Sequence, residues 1–446
     1  MEREFYQKLL QWKESSLRKP LVLRGARQVG KTYILNDFAK REYTDYIYLN
    51  FDENPHFGSF FDENLDPDRI IKELNIYFKT TIKPGRTLII LDEVQECPQA
   101  LASLKYFCEK KNEYHVAAAG SLLGVKLTKG FPVGKINFLD LAPLNFFEFL
   151  HAVGESELVS MLEEMQHPIA LSEIFHNKLV TLLKYYFIIG GMPEAVSTYL
   201  KTENLEQVRS VQKEILDAYV LDFAKHAPKE DVIKIMAIWD SVPNQLAKEN
   251  KKFIFSAIRK SARAREFETS IEWLKSAGLI IKANHISTPK LPLDAYSDKQ
   301  AFKVFLLDVG LLGAMSRLDP VVILEKDQLF QEFKGSLTEN FVALELHNKH
   351  FEGLYYWTSE GIAEVDFVIS TDQQIFPLEV KAGFSKKKKS LLVFHDKFSK
   401  EENDTLVLSR ASLRNFALDG KIINYPLYAI SLFPCFRYTF LNTSIK

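Results

Sequence analysis

The run GARQVGKT at residues 25–32 constrains this chain more than any other feature. It follows the apolar segment PLVL and precedes the helix-like segment YILNDFAKREY, so strand, glycine-containing loop and helix occur in the order that a phosphate-binding loop requires. In such a loop the backbone N–H groups hold phosphates, a lysine reaches the β- and γ-phosphates, and a hydroxyl ligates Mg²⁺. A glycine-rich turn that matched this pattern by accident would not need a strand before it or a helix after it. The pattern therefore predicts a nucleotide site made of Gly25, Ala26, Arg27, Gln28, Val29, Gly30, Lys31 and Thr32.

Two later strands end in polar residues that fit the same site. The buried-strand pattern TLIIL is followed directly by Asp92 and Glu93, and the segment HVAAAG is followed directly by Ser121. We predict that Asp92 helps Thr32 to hold Mg²⁺, and that Glu93 is the general base for the attacking water. Ser121 is expected beside the γ-phosphate. A strand that ends at a solvated acidic turn would also have Asp and Glu at its end. The phosphate loop upstream nevertheless favours a nucleotide site, with ATP and Mg²⁺ as cofactors and Lys31 and Glu93 as catalytic residues.

The hydrophobic pattern predicts an α/β chain of four parts. Residues 1–150 contain the short apolar runs PLVLRG, YIYLNF, TLIILDE, HVAAAGS and KINFLDL, which are typical of a parallel sheet with crossover helices. Residues 151–230 are apolar at three-to-four spacing and are expected to form a helical bridge or lid. Residues 231–300 contain the amphipathic stretches IKIMAIWDSV, FIFSAIRK and FETSIEWLKSAGLI before the strand IIKANHI, which favours a winged-helix-like domain. Residues 301–446 form a final α/β unit.

Composition limits the partners and the compartment. The chain of 446 residues has 57 Lys and Arg against 58 Asp and Glu, so nucleic acid cannot be held by bulk charge and any such role must be regional. Cys97, Cys108 and Cys435 lack the spacing of a disulfide framework or a zinc site. The first residues have no signal-peptide pattern, and no apolar run reaches the roughly 18 residues of a membrane span. A cytoplasmic protein without a membrane partner is expected.

Several segments without a general biochemical meaning make the chain resemble a known family. These are LRGARQVGKT, LIILDEVQ, AAAGSLLG, LAPLNFFEFL, YYFIIGGMPEAV, FLLDVGLLGAM, and EVDFVIS with PLEVKAG. The chain is similar over nearly its whole length to bacterial and archaeal AAA-type ATPases that carry a C-terminal domain of unknown function. The resemblance implies ATP binding and a homo-oligomeric assembly. Such proteins usually read Gly-Arg before the LxPLxFxEF segment, whereas this chain has Gly134-Lys135; lysine lacks the planar fork of arginine, so no arginine finger is assigned.

A local excess of positive charge coincides with the predicted winged helix. Between residues 248 and 265 the only acid is Glu249. The basic residues are Lys248, Lys251, Lys252, Arg259, Lys260, Arg263 and Arg265. Beside a recognition helix they would contact the phosphates of DNA or RNA. A solvated basic face is the alternative, since Glu266, Glu268 and Glu272 on the same helix would repel phosphates.

The C-terminal region contains the spacing D-x12-E-x-K. Asp366 lies in one alternating strand, while Glu379 and Lys381 lie two apart in the next and project to the same side. This arrangement is similar to that of PD-(D/E)xK nucleases and implies a restriction-endonuclease-like fold. Asp366, Glu379 and, on the preceding helix, Glu339 would bind a second Mg²⁺, and Lys381 would orient or deprotonate water. Lys386–Lys389 would attract a phosphate backbone, although such a run is also common in solvated turns.

Two functional hypotheses follow. In the first, an ATP-binding and ATP-hydrolysing AAA-type protein uses its nucleotide state to control a nuclease-like domain that binds DNA or RNA. In the second, the chain is a nucleotide-dependent regulatory or interaction module whose nuclease fold is catalytically silent. ATP turnover and nucleic-acid cleavage distinguish the two.

Overall fold

The computed structural model describes residues 3–121, 134–248, 252–259, 263–325, 331–349, 351, 353–360, 363–402 and 406–436. The chain divides into two compact units. The N-terminal unit comprises Glu2–Pro143 with Ser276–Gly278, and the C-terminal unit comprises Leu144–Lys275 with Leu279–Lys446. The four domains expected from the sequence stay predictions, and the boundary expected between residues 300 and 301 falls inside a strand, Ser297–Leu306.

The N-terminal unit is a five-stranded parallel sheet with helices. Its strands are β1 Leu21–Arg24, β2 Asp45–Asn50, β3 Thr87–Asp92, β4 His115–Ala119 and β5 Asn137–Asp140, and its helices are α1 Phe5–Glu14, α2 Lys31–Glu42, α3 Pro67–Phe78 and α4 Pro98–Lys110. The order across the sheet is β2-β3-β4-β1-β5, with every neighbouring pair parallel. The parallel sheet and crossover helices predicted from the apolar runs are confirmed.

The burial of the strands explains why this sheet forms. Every residue of β3 and β4 is buried, as expected where helices cover both faces of a parallel sheet. Strand β4 lies between β1 and β3, so the carboxyl ends of the phosphate-loop strand, the Ser121 strand and the Asp92 strand are adjacent. Ligands of open α/β sheets bind at such carboxyl ends.

The C-terminal unit begins with a helical region and continues into a mixed sheet. The helices are α5 Phe146–Ala152, α6 Ser156–Glu163, α7 Glu173–Ile189, α8 Pro193–Thr202, α9 Leu205–His226, α10 Val232–Leu246, α11 Ala264–Ser276, α12 Val309–Met315, α13 Pro320–Glu325, α14 Gln331–Asn348 and α15 Lys389–Glu402. The strands are β6 Ile280–Ile286, β7 Ser297–Leu306, β8 Leu354–Thr358, β9 Glu364–Thr371, β10 Gln374–Val380, β11 Ser409–Ser412, β12 Ala417–Asp419 and β13 Ile422–Pro426.

The eight strands form one sheet in the order β12-β13-β11-β10-β9-β8-β6-β7. The antiparallel pair β6–β7 begins inside the segment 231–300 that was predicted to be winged-helix-like. This pair is part of the same sheet as β9 and β10, where Asp366 and Glu379 lie. An aromatic cluster that includes Trp357, Phe394 and Phe398 packs α15 against this sheet.

One of the predicted amphipathic stretches forms less helix than expected. In FIFSAIRK only the 3₁₀ turn Phe255–Ala257 is present. The reason is tertiary: the side chain of Gln245 accepts from the N–H of Ile254 at 3.1 Å and donates to its carbonyl at 2.9 Å, and Phe253 N–H donates to the carbonyl of Phe302. These bonds hold the backbone before the turn in an extended conformation.

Two of the family segments meet in the C-terminal unit. Asp308, in DVGLL, is fully buried and accepts from the N–H of Gly191 at 2.6 Å and from that of Leu311 at 2.8 Å. Burial raises the pKa of Asp308 to about 6, although these N–H bonds oppose the rise. A Cβ at Gly190, in GGMP, would lie 2.2 Å from Asp308 Oδ1. The segments GGMP and DVGLL therefore have a packing role.

No single helix in the described part of the chain is long and apolar enough to cross a membrane. One bent pair, Glu173–Ile189 with Pro193–Thr202, has the length and composition to do so when its two helices are taken together.

Candidate nucleotide site and C-terminal carboxylate cluster

The phosphate loop joins β1 to α2 and requires unusual backbone conformations. Gln28 and Gly30 have φ of 66° and 95°. Gly25 has φ of 148°, and a Cβ there would lie 2.2 Å from the carbonyl oxygen of Leu141, so only glycine fits. Val29 is buried beneath the loop. Turns of this kind direct successive N–H groups into a concavity that binds anions.

Lys31 begins α2 and is 6% exposed. Its Nζ donates to the carbonyls of Gly25 at 3.0 Å and Ala26 at 2.7 Å. The ammonium group is thus held over the loop by weak neutral acceptors. A phosphate oxygen is a stronger acceptor for an ammonium group, because charge-assisted hydrogen bonds are roughly twice as strong as neutral ones.

Thr32 and Asp92 meet across the ends of their elements. Thr32 Oγ1 donates to Asp92 Oδ2 at 2.7 Å, and Tyr48 OH donates to the same oxygen at 2.8 Å. Asp92 is 1% exposed, so these hydrogen bonds fix its carboxylate. Burial and the bond to Asp92 raise the pKa of Tyr48 above its ordinary value. Tyr48 was not expected at this site, because nothing in the pattern of β2 distinguishes it from Tyr46.

This oxygen pair fits a magnesium ion. Mg²⁺ takes oxygen ligands in near-octahedral geometry at about 2.1 Å, so neighbouring ligand oxygens lie about 3 Å apart. The hydroxyl of Thr32 and the carboxylate of Asp92 are 2.7 Å apart and can turn to a shared cation. The residues predicted from the sequence to hold Mg²⁺ with a nucleotide are therefore compatible with it.

Glu93 directly follows β3 in a left-handed conformation, with φ of 50°. Its N–H donates to Asp92 Oδ1 at 3.0 Å, and Gln95 Nε2 donates to its carboxylate. Ser121 follows Gly120, whose N–H donates to the carbonyl of Leu23 in β1 at 3.3 Å. Ser121 thus follows β4, which is next to β1, and Glu93 follows β3, which is on the other side of β4.

Lys135, to which no arginine-finger role is assigned, forms an ion pair within the N-terminal unit. Its Nζ lies 3.0 Å from Glu109 Oε1, and this contact holds the pKa of Glu109 below its ordinary value.

In the C-terminal unit the hairpin β9–β10 brings the predicted nuclease residues together. Leu378 pairs with Phe367 in antiparallel register, which places the next residue, Glu379, opposite Asp366 on one face. Val380 N–H donates to Asp366 Oδ2 at 2.7 Å, and Lys381 Nζ lies 2.7 Å from Glu379 Oε1. Glu379 is 2% exposed, and its Oε2 has no hydrogen-bond partner among the described residues.

Lys303 on β7 was not expected and changes the chemistry of this face. Its side chain is 1% exposed, and its Nζ lies 3.7 Å from Glu339 Oε2, 3.9 Å from Asp366 Oδ1 and in contact with Glu364. Burial alone would lower the pKa of Lys303, but these carboxylates raise it above its ordinary value. Burial, reinforced by Glu339, raises the pKa of Asp366 to about 7 against the effect of Lys303. We call Lys303, Glu339, Glu364, Asp366, Glu379 and Lys381 the carboxylate cluster.

A second Mg²⁺ does not fit the carboxylate cluster as it stands. Metal–oxygen bonds of about 2.1 Å would require the carboxylates to converge on one point. Among the described residues no group of three or more Asp, Glu, His or Cys side chains has such an arrangement. The ammonium of Lys303 lies where Glu339, Glu364 and Asp366 approach one another. Two of the three predicted ligands, Glu339 and Asp366, thus already face the ammonium group of Lys303, and the third, Glu379, faces that of Lys381.

The basic region is partly neutralised as well. Arg259 forms a 2.9 Å ion pair with Glu266 of α11. Lys252, Arg263 and Arg265 are exposed. Lys251, Lys260 and Glu249 lie outside the described residues. The basic region therefore presents fewer free charges than its sequence suggested.

Comparisons with protein families cover most of the chain in three parts. Residues 17–150 match the family described as AAA domain, and residues 180–321 and 334–430 match two domains of unknown function, DUF8612 and DUF4143. The first match confirms the AAA-type domain expected from the sequence. The other two do not name a nuclease-like or winged-helix fold. No curated protein matches the sequence.

Several solved structures are similar at low identity. The Walker-type ATPase PABY2304 of Pyrococcus abyssi is 15% identical, with 71% of this chain and 95% of that chain covered and a TM-score of 0.44. The ORC1 protein of Aeropyrum pernix in complex with DNA is 15% identical, with coverages of 72% and 92% and a TM-score of 0.28. AMPPCP-bound DnaA from Aquifex aeolicus is 16% identical, with coverages of 61% and 85% and a TM-score of 0.27. Similarities of this size carry no conclusion about ligand or partner.

Proposed function

We propose that this protein binds ATP with Mg²⁺ in its N-terminal unit and hydrolyses it, and that the nucleotide state controls what its C-terminal half engages. The contact of 2.7 Å between Thr32 Oγ1 and Asp92 Oδ2 carries the proposal. This contact joins the hydroxyl of the phosphate loop to a buried acid on a separate strand. A glycine-rich turn that matched the loop pattern by accident would not need such an acid beside it. The AAA domain matched by residues 17–150 supports the same reading.

Each residue of the site has a defined task. Lys31 exchanges the loop carbonyls for phosphate oxygens, and the backbone of residues 25–30 surrounds the phosphates. Thr32 and Asp92 hold Mg²⁺, which when bound neutralises the phosphate charge that develops during transfer. Glu93 accepts a proton from the attacking water, with its carboxylate oriented by Gln95. Ser121 contacts the γ-phosphate.

For the C-terminal half we propose binding without cleavage. The restriction-endonuclease-like fold implied by the sequence is retained as part of the proposal, but no cleavage step is included because a metal does not fit the carboxylate cluster. DNA or RNA is the proposed partner, approached through the exposed side chains of Lys252, Arg263 and Arg265 beside α11. A homo-oligomer is proposed from the resemblance to AAA-type proteins.

The test compares purified wild type with Lys31→Ala, Glu93→Gln and the control Lys40→Ala, an exposed lysine on the same helix α2. Lys31→Ala should abolish nucleotide binding, measured with a fluorescent ATP analogue. Glu93→Gln should retain binding and lose roughly 10²–10⁴-fold in hydrolysis, the usual size of a general-base effect. Lys40→Ala should match the wild type. Retained turnover in Lys31→Ala or Glu93→Gln would refute the assigned roles.

Nucleic-acid affinity measured with ATP, with ADP and without nucleotide tests the second half of the proposal. We expect the affinity to differ between nucleotide states and no cleavage to occur with Mg²⁺ or Mn²⁺. Metal-dependent cleavage that Asp366→Ala abolishes would instead favour the active nuclease. Nucleotide binding without turnover would favour a regulatory module that uses ATP only as a switch.

A further inference from the structure

The buried ammonium of Lys303 stands where a divalent metal would have to bind in the C-terminal unit. Its Nζ lies 3.7 Å from Glu339 Oε2 and 3.9 Å from Asp366 Oδ1, and it contacts the carboxylate of Glu364. These side chains come from α14 and from the adjacent end of β9. We infer that Lys303 is the resident cation of the carboxylate cluster and that it excludes divalent metal from this site.

The charges of the carboxylate cluster support this inference. Glu339, Glu364, Asp366 and Glu379 supply four carboxylates, and Lys303 and Lys381 supply two ammonium groups. A buried charge is tolerated only when it is paired, and removal of one partner leaves the other uncompensated. Because Lys303 is 1% exposed, bulk water does not screen its charge from the carboxylates around it. A divalent ion entering beside it would meet a fixed positive charge at close range.

Glu379 indicates what the same face would do without that lysine. It is 2% exposed, and its Oε2 has no hydrogen-bond partner among the described residues. The register of β9 and β10 places it opposite Asp366. Lys381 contacts Oε1 of Glu379, so Oε2 stays available, and the Lys303 ammonium group is what faces Asp366. Once the Lys303 charge is gone, the two carboxylates on this face are suited to a cation. Loss of the Lys303 charge should therefore create a metal site.

The experiment uses full-length, nucleotide-free protein and Mn²⁺ as the probe, with binding measured by isothermal titration and by the thermal midpoint Tm. Lys303→Met removes the charge at similar length. Lys282→Met is the matched control, since Lys282 lies on the neighbouring strand β6 with a side chain that is 14% exposed and a contact of 3.5 Å to Glu272.

We expect Lys303→Met to bind one more Mn²⁺ than the wild type, and its Tm to rise by at least about 3 °C with saturating Mn²⁺, because a ligand stabilises the state that binds it. The additional site should disappear in Lys303→Met combined with Asp366→Asn. Lys282→Met should bind as the wild type does. A folded Lys303→Met protein that gains no site would overturn the inference.

If Lys303→Met does not fold, the wild type and Glu379→Gln decide the question. Equal Mn²⁺ isotherms support exclusion of metal from the cluster, and loss of one site in Glu379→Gln overturns it. The inference depends on the C-terminal unit alone. ATP hydrolysis assayed on the same preparations tests the proposed function separately, so that failure of one is distinguishable from failure of the other.

Discussion

Replacement of Gly190 by alanine should destabilise the C-terminal unit far more than its backbone conformation alone requires. Gly190 has φ of +73° and ψ of −168°, a region that is essentially restricted to glycine and costs an L-residue about 1–3 kcal/mol. The added Cβ would also lie 2.2 Å from Asp308 Oδ1 and 2.7 Å from its Oδ2, so the buried carboxylate must move. That carboxylate accepts from the N–H groups of Gly191 and Leu311, and hydrogen bonds to charged groups contribute about 1.5–3 kcal/mol each. Loss of one of them, added to the conformational cost, gives a total of about 2.5–6 kcal/mol.

Gly420→Ala is the matched control for this prediction. Gly420 lies in the same unit with φ of +68°, and a Cβ there would meet no atom within 4 Å. Its replacement should cost only the conformational part, about 1–2 kcal/mol. The assay is urea unfolding followed by tryptophan fluorescence at about pH 8, where Asp308 is ionised because its pKa is about 6. Equal free-energy losses in the two variants would refute the claim that the segments GGMP and DVGLL are locked by the Asp308 carboxylate.

Two further predictions concern residues that the sequence did not single out. Asp419→Asn should destabilise the protein by about 3 kcal/mol near neutral pH, because it removes the carboxylate partner of the fully buried Arg410. The hydrogen bond from Arg414, together with Arg410, lowers the pKa of Asp419 to about 2. The native state therefore binds fewer protons than the unfolded chain between about pH 2 and 4. The stability that Asp419 contributes is present above about pH 4 and is lost as the pH falls to about 2. The urea midpoints of variant and wild type should converge at low pH, and a difference that persists at pH 2 would contradict this linkage. Tyr48→Phe should lower the free energy of unfolding by about 1–3 kcal/mol, because it removes the hydroxyl that donates to Asp92 Oδ2. Tyr46→Phe on the same strand should have no comparable effect in the same unfolding assay. Equal losses in both variants would show that the hydroxyl of Tyr48 is not what stabilises Asp92.

The middle of the chain shows where sequence patterns misled. FIFSAIRK has helical spacing, but the side chain of Gln245 and the carbonyl of Phe302 bind its backbone and leave only one 3₁₀ turn. The role of the basic region in nucleic-acid binding stays a prediction, and the structure adds that one of its residues, Arg259, is paired with Glu266 of α11. Local periodicity does not report a hydrogen bond made by a residue from another element.

The sequence alone predicted the residues of the candidate nucleotide site, because each part of it is recognisable from local sequence. The phosphate loop lies between a strand and a helix that are adjacent in the chain, and Asp92 and Glu93 terminate a strand whose buried character is evident from its letters. Carboxyl ends of parallel strands meet at one edge of a sheet, so proximity followed from the predicted fold. Only the tertiary structure placed Tyr48 against Asp92, and Lys303 among Glu339, Glu364 and Asp366. Lys303 belongs to β7, at one edge of the sheet, with β6 and β8 between it and the strand β9 that supplies Asp366. The sequence of β7 does not show which of its lysines, Lys299 or Lys303, is buried. The charge state of the carboxylate cluster depends on that distant side chain, and therefore on the packing of elements that are far apart in the sequence.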